Sequence, residues 1–170
     1  CAAPRADMPF EQAVAALLPA DVLLIGEQHD APDHQRLHRE AVLMLGNGDR
    51  LAALALEMAE SGRSTLGLPA TATEQQVKTA LAWKDGAWPW PAYGPVVMAA
   101  VQSGKVVAGA NLPSNEMRAA MADPGLDARL SPQALSAQQV AIREGHCGLL
   151  PESQIGPMTR IQIARDMRMA

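Results

Sequence analysis

Leu37, Ala41, Met44 and Leu45 recur at the three-to-four spacing of one helix face, which predicts a helix over residues 33–45. Pro32 and Asp33 suit its start, and Gly46 its stop. Similar spacing predicts helices over 9–18, 73–81, 95–102, 114–121, 131–144 and 152–169. Three short runs lack that period. Residues 21–25 and 51–56 are compact and apolar, ending at Gly26 and Glu57, and residues 105–110 stop at Asn111-Leu112-Pro113. Short apolar runs closed by such residues read as buried strands.

Strands alternating with helices imply βαβ units, hence an α/β fold with a parallel-type sheet flanked by helices. Right-handed crossovers bring the C-terminal ends of all strands to one edge, where open α/β sheets bind ligands. Glu27, His29, Glu57 and Asn111 are therefore expected on one rim, with His146 joining them around a single cavity. Three strands make a thin sheet for so many helices, and the chain stops inside a helical pattern, at Arg165-Asp166-Met167-Arg168-Met169-Ala170. A C-terminal strand segment is accordingly expected to be missing from this chain. An exposed apolar strip is then expected beside the first or third strand, where that segment would pair.

Composition narrows the function. At 170 residues and 48% hydrophobic, the chain suffices for one core, so a single domain is expected over 9–170, preceded by a short tether over 1–8. A net charge of −4 without a basic run argues against nucleic acid as a partner. No apolar stretch approaches the roughly 20 residues that span a bilayer. Cys1 stands where a precursor would carry Met. Either the sequence begins at an arbitrary boundary, or a signal peptide has been cut before a cysteine that then carries lipid. Cys147 reads as a small buried apolar residue.

Chemistry concentrates in a few places. Gly26-Glu27-Gln28-His29 sets a carboxylate beside an imidazole after a flexible glycine, which suits acid–base work, metal ligation by Glu27 and His29, or simply a polar cap on the next helix. Glu57 is either a rim carboxylate or the partner of a base such as Arg165. His34 and His38 share a helix face. Charged neighbours place His38 on a solvated surface, while His34 lies nearer the rim. His146 ends a helix beside Gly145, where it either favours the dipole or faces a ligand. Aromatic residues are scarce, yet four of the five fall in one stretch: Trp83, Trp88, Trp90 and Tyr93. Two prolines and a glycine argue against a long helix there, leaving a packing lid or a platform for a flat ligand. Cys-x-x-Cys-His, Gly-rich phosphate loops, Gly-x-Ser-x-Gly and His-Glu-x-x-His are all absent from the sequence.

Taken in order, these pieces resemble the ChaN family of haem-binding lipoproteins. The resemblance runs through Val22-Leu23-Leu24-Ile25-Gly26-Glu27-Gln28-His29-Asp30, Leu54-Ala55-Leu56-Glu57-Met58 and Trp88-Pro89-Trp90-Pro91-Ala92-Tyr93-Gly94-Pro95. It continues through Gly109-Ala110-Asn111-Leu112-Pro113, Gly145-His146-Cys147-Gly148 and Gln162-Ile163-Ala164-Arg165-Asp166. It implies an α/β fold, haem or iron uptake, an outer-membrane lipid anchor on Cys1, and haem held in a homodimer. It also implies a tyrosine as iron ligand, which can be carried only onto Tyr93. His34, Trp88, Trp90 and Asn111 are the further expected haem contacts. The wider superfamily resembles TIKI and TraB proteins and erythromycin esterases. That likeness implies a rival: a metal-dependent or His-assisted hydrolase using Glu27, His29, Glu57 and His146, with a divalent metal in place of haem.

Overall fold

The computed structural model describes residues 8–170, so the Cys1 anchor and nearly all of the expected tether lie outside the described residues. In chain order the elements are α1 (Phe10–Ala16), α2 (Pro32–Asn47), β1 (Ala53–Glu60), α3 (Glu74–Leu81), α4 (Trp90–Gln102), β2 (Val106–Asn111), α5 (Met117–Ala122), α6 (Pro132–Gly145) and α7 (Glu152–Met169). A 3-10 turn, Pro124–Arg129, lies between α5 and α6. The fold is mixed α/β, with a two-strand parallel sheet of β1 and β2 flanked by helices.

The chain divides into two compact units. The first holds the described residues up to Leu56 together with Arg63–Ala108. In it α4 packs on α2 and α3, and α1 packs on α2. Nine residues of α4 are buried, among them Val96, Val97, Ala100 and Val101, as its almost unbroken apolar sequence demands. Leu45 on α2, Val77 and Leu81 on α3 and Val107 on β2 are also core. Thr73 caps α3 through a full capping box with Gln76, which satisfies donors that the first helical turn leaves open.

The second unit comprises Glu57–Gly62 and Gly109–Ala170. Here α7 is the organising helix, packed against α5, α6 and the 3-10 turn, with Ile155, Thr159, Ile161 and Ile163 buried. Arg160 on α7 grips Asp127 of the 3-10 turn with two hydrogen bonds, Nε–Oδ1 at 3.0 Å and Nη2–Oδ2 at 2.7 Å. Gly109 lies so close to β1 that a Cβ would stand 2.1 Å from the Glu60 carbonyl oxygen. Only a residue without a side chain allows that approach.

Several sequence expectations need correction. Residues 21–25 form no strand: Val22 and Leu24 are 73% and 86% exposed. A strand is made by its partner, and no backbone hydrogen bond joins residues 21–27 to another described segment. The apolar strip expected beside the first strand candidate is therefore exposed, but on an extended segment. β1 runs on to Glu60, so Glu57 sits within the strand and not at its end. Glu57 and Arg165 do not pair, and Nε of Arg165 is buried without a hydrogen bond. α4 starts at Trp90, five residues before the predicted start. Pro91 falls in the first turn, where a missing N–H breaks no helical bond. Cys147 is exposed, because the turn closing α6 puts it in the left-handed conformation at φ 53°.

Two outcomes follow for stability. Gly109→Ala forces β1 and β2 apart and should destabilise the protein by about 3 kcal/mol, read as a lower urea midpoint. The Asp127 carboxyl is held below its ordinary range, chiefly by its hydrogen bonds from Arg160, while burial opposes this. A carboxyl lowered in the folded state adds stability above its unfolded-state pKa and loses it as pH falls through the folded-state value. Asp127→Asn should therefore reduce stability near neutrality and flatten the acid limb of a stability-against-pH curve. A parallel curve, displaced but equally steep, would contradict this.

Candidate functional site

The first unit gathers Glu27, His29, His34, His38, Trp88, Trp90 and Tyr93, and its centre is the Glu27 carboxylate. That side chain is only 5% exposed. The loop before α2 brings it inward, α4 delivers Tyr93, and the second turn of α2 delivers His38. The Tyr93 hydroxyl donates to Oε1 at 2.9 Å, and Nδ1 of His29 lies 2.7 Å from the same oxygen. Oε2 is buried and lies 3.3 Å from Nδ1 of His38, but the geometry is too poor for a hydrogen bond. A buried carboxylate needs donors, and this one recruits them from the loop and from a distant helix.

The partners of each imidazole decide which nitrogen keeps a lone pair. The backbone N–H of Gln28 donates to Nδ1 of His34 at 2.9 Å, so neutral His34 carries its proton on Nε2 and has no lone pair left for a ligand. His38 faces an acceptor on each side, the Glu27 carboxylate and the Gly26 carbonyl, the latter 3.4 Å from Nε2. Nδ1 of His29 meets the Glu27 oxygen that accepts from Tyr93, so a proton on Nδ1 completes that contact and leaves Nε2 with its lone pair, on a side chain 47% exposed.

The aromatic stretch forms the wall of this site. Trp83 closes its own loop by donating Nε1–H to the Trp88 carbonyl at 2.8 Å. Trp90 is buried, bonds Glu74 at 2.9 Å and lies under the Lys78 ammonium. Gly94 makes room for it: a Cβ there would meet the Trp90 ring at 2.5 Å. Tyr93 is 4% exposed, flanked by Trp83 and Trp88. Trp88 is half-buried and meets the His29 ring edge-on at 4.9 Å. Most of the stretch is thus a packing lid, and Trp88 is the indole beside a ligand-competent imidazole. The phenol expected to face a ligand is turned inward onto Glu27.

Glu57, Asn111 and His146 belong to the second unit. Asn111 is buried and uses Oδ1 to accept from the N–H of Leu112. His146 donates Nδ1–H to the Ile142 carbonyl at 2.8 Å, which leaves its Nε2 lone pair free. A cavity of about 480 Å³ lies between α5 and α7, lined by Leu112, Ala119, Leu126, Ala164, Met167 and charged Arg168 among others. None of the site residues expected from the sequence lines it, and it offers no imidazole or phenol to iron. Among the described residues no three His, Cys, Asp or Glu side chains are grouped to hold a metal ion, and Glu27 and His29 are bonded to one another. His38, expected on a solvated face, is only 18% exposed and lies against Glu27. Its spacing from Glu27 carries no periodic signal that would have revealed the contact.

The sequence profile of the family described as haem-binding uptake, Tiki superfamily, ChaN matches residues 13–170, and the chain belongs to that family. A solved structure of ChaN from Campylobacter jejuni, described as showing cofacial haem binding, superposes with a TM-score of 0.75 at 26% identity. The match covers 95% of this chain and 69% of that one. No relative is found among curated proteins. Haem is thus the cofactor that family membership assigns. The donor set fits it: a lone-pair imidazole backed by a carboxylate and flanked by an indole is one that haem iron accepts.

Removing single members of the Glu27 cluster tests its structural weight. Tyr93→Phe deletes one donor to a buried carboxylate and should destabilise the protein by about 1 kcal/mol, whereas Glu27→Ala should cost more by leaving the phenol unpaired. Urea midpoints in the opposite order would show that the cluster is not organised around Glu27.

Proposed function

We propose that this protein is a haem-binding lipoprotein of haem or iron uptake, with haem held at the Glu27 face of its first unit. The observation that carries this is the family match over residues 13–170. In support, the Glu27 face combines a half-exposed imidazole, an indole and a buried carboxylate, whereas the cavity of the second unit offers no imidazole, phenol or indole. Trp88 offers a flank for the macrocycle, and Tyr93 and Trp90 hold the wall behind it. His34 fixes the loop by accepting from Gln28. Haem, when bound, would supply a ferric centre and a flat apolar face. The chain supplies position, a basic nitrogen and a largely dry wall.

Lipid attachment at Cys1, placement at the bacterial outer membrane and a haem-linked homodimer complete the proposal. They rest on the family resemblance, and a haem carrier anchored beside a membrane gains effective concentration for a transporter there. No helix among the described residues is long and apolar enough to cross a membrane. Attachment through lipid would therefore be separate from any helical span. The extended segment with exposed Val22, Leu24 and Ile25 is an uncovered apolar surface, of the kind that partner chains cover.

The decisive experiment is a hemin titration of the whole chain followed by absorbance. Saturable binding with a shifted Soret band is expected, and its absence would remove the proposal. Sedimentation with and without hemin reads the dimer, and labelling by a fatty acid in a bacterial host, lost in Cys1→Ser, reads the anchor.

A further inference from the structure

Resting on the lipid-anchored reading above, we infer that the loop over residues 63–72 of the first unit docks on an anionic lipid surface. Leu66 enters the acyl chains and Arg63 meets the headgroup phosphates. Residues 61–73 contain no acid, although the chain carries 18 Asp and Glu and a net charge of −4. Arg63 is the single charged residue of that stretch, and it is exposed. Leu66 is 77% exposed, and Pro69 and Ala70 follow it as further exposed apolar residues. The acids that flank the stretch are engaged elsewhere: Glu60 accepts from the Ser114 hydroxyl, and Glu74 accepts from the Trp90 indole.

The backbone fixes this loop in its exposed position. Thr65 is 3% exposed and pinned twice to β2. Its N–H donates to the Val107 carbonyl at 2.9 Å, and its Oγ1 accepts from the Val107 N–H at 2.9 Å. The Leu66 N–H donates to Oγ of Ser64, and the Leu68 N–H donates to the Thr65 carbonyl. Gly67 turns the chain at φ 88°, in the left-handed region that glycine enters readily. Ala72, 4% exposed, closes the loop before the capping box of α3. Leu66 is thus held in water, where an apolar side chain is unfavourable, and the pinned backbone keeps it from folding onto the core. A preordered apolar tip gives up little freedom when it enters another phase. A basic residue beside it is drawn to lipid phosphates, whereas an acid there would be repelled. Other exposed apolar runs lack this match: Val22 follows Asp21, and Leu149 lies just before Glu152. One leucine and one arginine hold a free protein at a membrane only weakly. A tether on Cys1 supplies the effective concentration, so the tip sets which face the anchored chain turns to the bilayer.

The test couples Cys1 of the whole chain to a maleimide lipid, so that tethering does not depend on acylation by a cell. Cys147 is exposed, so a Cys147→Ser background is used. Vesicles of phosphatidylcholine, with or without phosphatidylglycerol, carry a spin label on their headgroups. The methyl NMR signals of Leu66 and Ala70 should broaden more than those of other described residues, and more on the anionic vesicles. Leu66→Asp should reduce the broadening at Ala70 by about tenfold, the order expected when a leucine is no longer buried. Arg63→Glu should remove the difference between the two lipids. Both variants should bind hemin as the parent does. Broadening centred on another face, equal broadening over the whole surface, or an unchanged Ala70 in Leu66→Asp would overturn the inference. So would Leu66 signals that shift with protein concentration in the absence of vesicles, which would mark the tip as a contact with a second copy. Failure at the tip leaves the anchor standing if a fatty acid labels Cys1 in a bacterial host. Failure of that labelling leaves the tip standing if the maleimide-tethered chain behaves as expected.

Discussion

A carboxylate taken out of water must be met by donors, and most of the first unit's chemistry follows from how Glu27 is met. Its oxygens draw the Tyr93 hydroxyl from α4, the His29 imidazole from its own loop and the His38 ring from α2 to one point. The loop from Gly26 to Ala31 has few backbone bonds of its own. Its shape is held by these side chains and by the bond from Gln28 to His34. The same carboxylate fixes the proton of His29, so one buried charge both orders the loop and determines which nitrogen the loop presents.

That arrangement places the aromatic residues in a supporting role. Tyr93 and Trp90 lie inward with their polar atoms bonded to carboxylates, and Trp83 bonds the backbone of its own loop. An aromatic residue with a polar tip usually finds a partner when buried, and these three find theirs inside the unit. Only Trp88 combines partial exposure with contact to an imidazole. A wall so tied down reorganises little when a flat ligand arrives, which favours binding through preorganisation.

The second unit has a different character. Its interior is aliphatic, built on one face of α7, and a two-bond contact of Arg160 with Asp127 fastens the 3-10 turn to that helix. The turn after α6 exposes Cys147 and leaves His146 with a free lone pair, and among the described residues no aromatic ring or buried carboxylate is in contact with that imidazole. This contrast between the two units, more than any single motif, locates the proposed haem contact.

Helices were legible in the sequence because a 3.6-residue period survives in the order of residues, and α2, α3, α6 and α7 lie close to where Leu37, Thr73, Ser131 and Glu152 signal them. The family was legible too, through short pieces in fixed order. The run at 21–25 forms no strand, because an apolar run states only what it would bury, while pairing depends on a neighbour supplied by the rest of the fold. Glu57 lies inside β1 and not at its end for the same reason: the strand continues through Met58 and Ala59, and only the partner β2 settles the length. Glu27 and His29 could be singled out by type and spacing. The sequence by itself determined which side chains carry chemistry. The tertiary structure alone decided that Tyr93, 66 residues away from Glu27, spends its proton there, and so which imidazole nitrogen is left free. Hydrogen-bond partners are set by proximity in space, and linear order does not encode them locally.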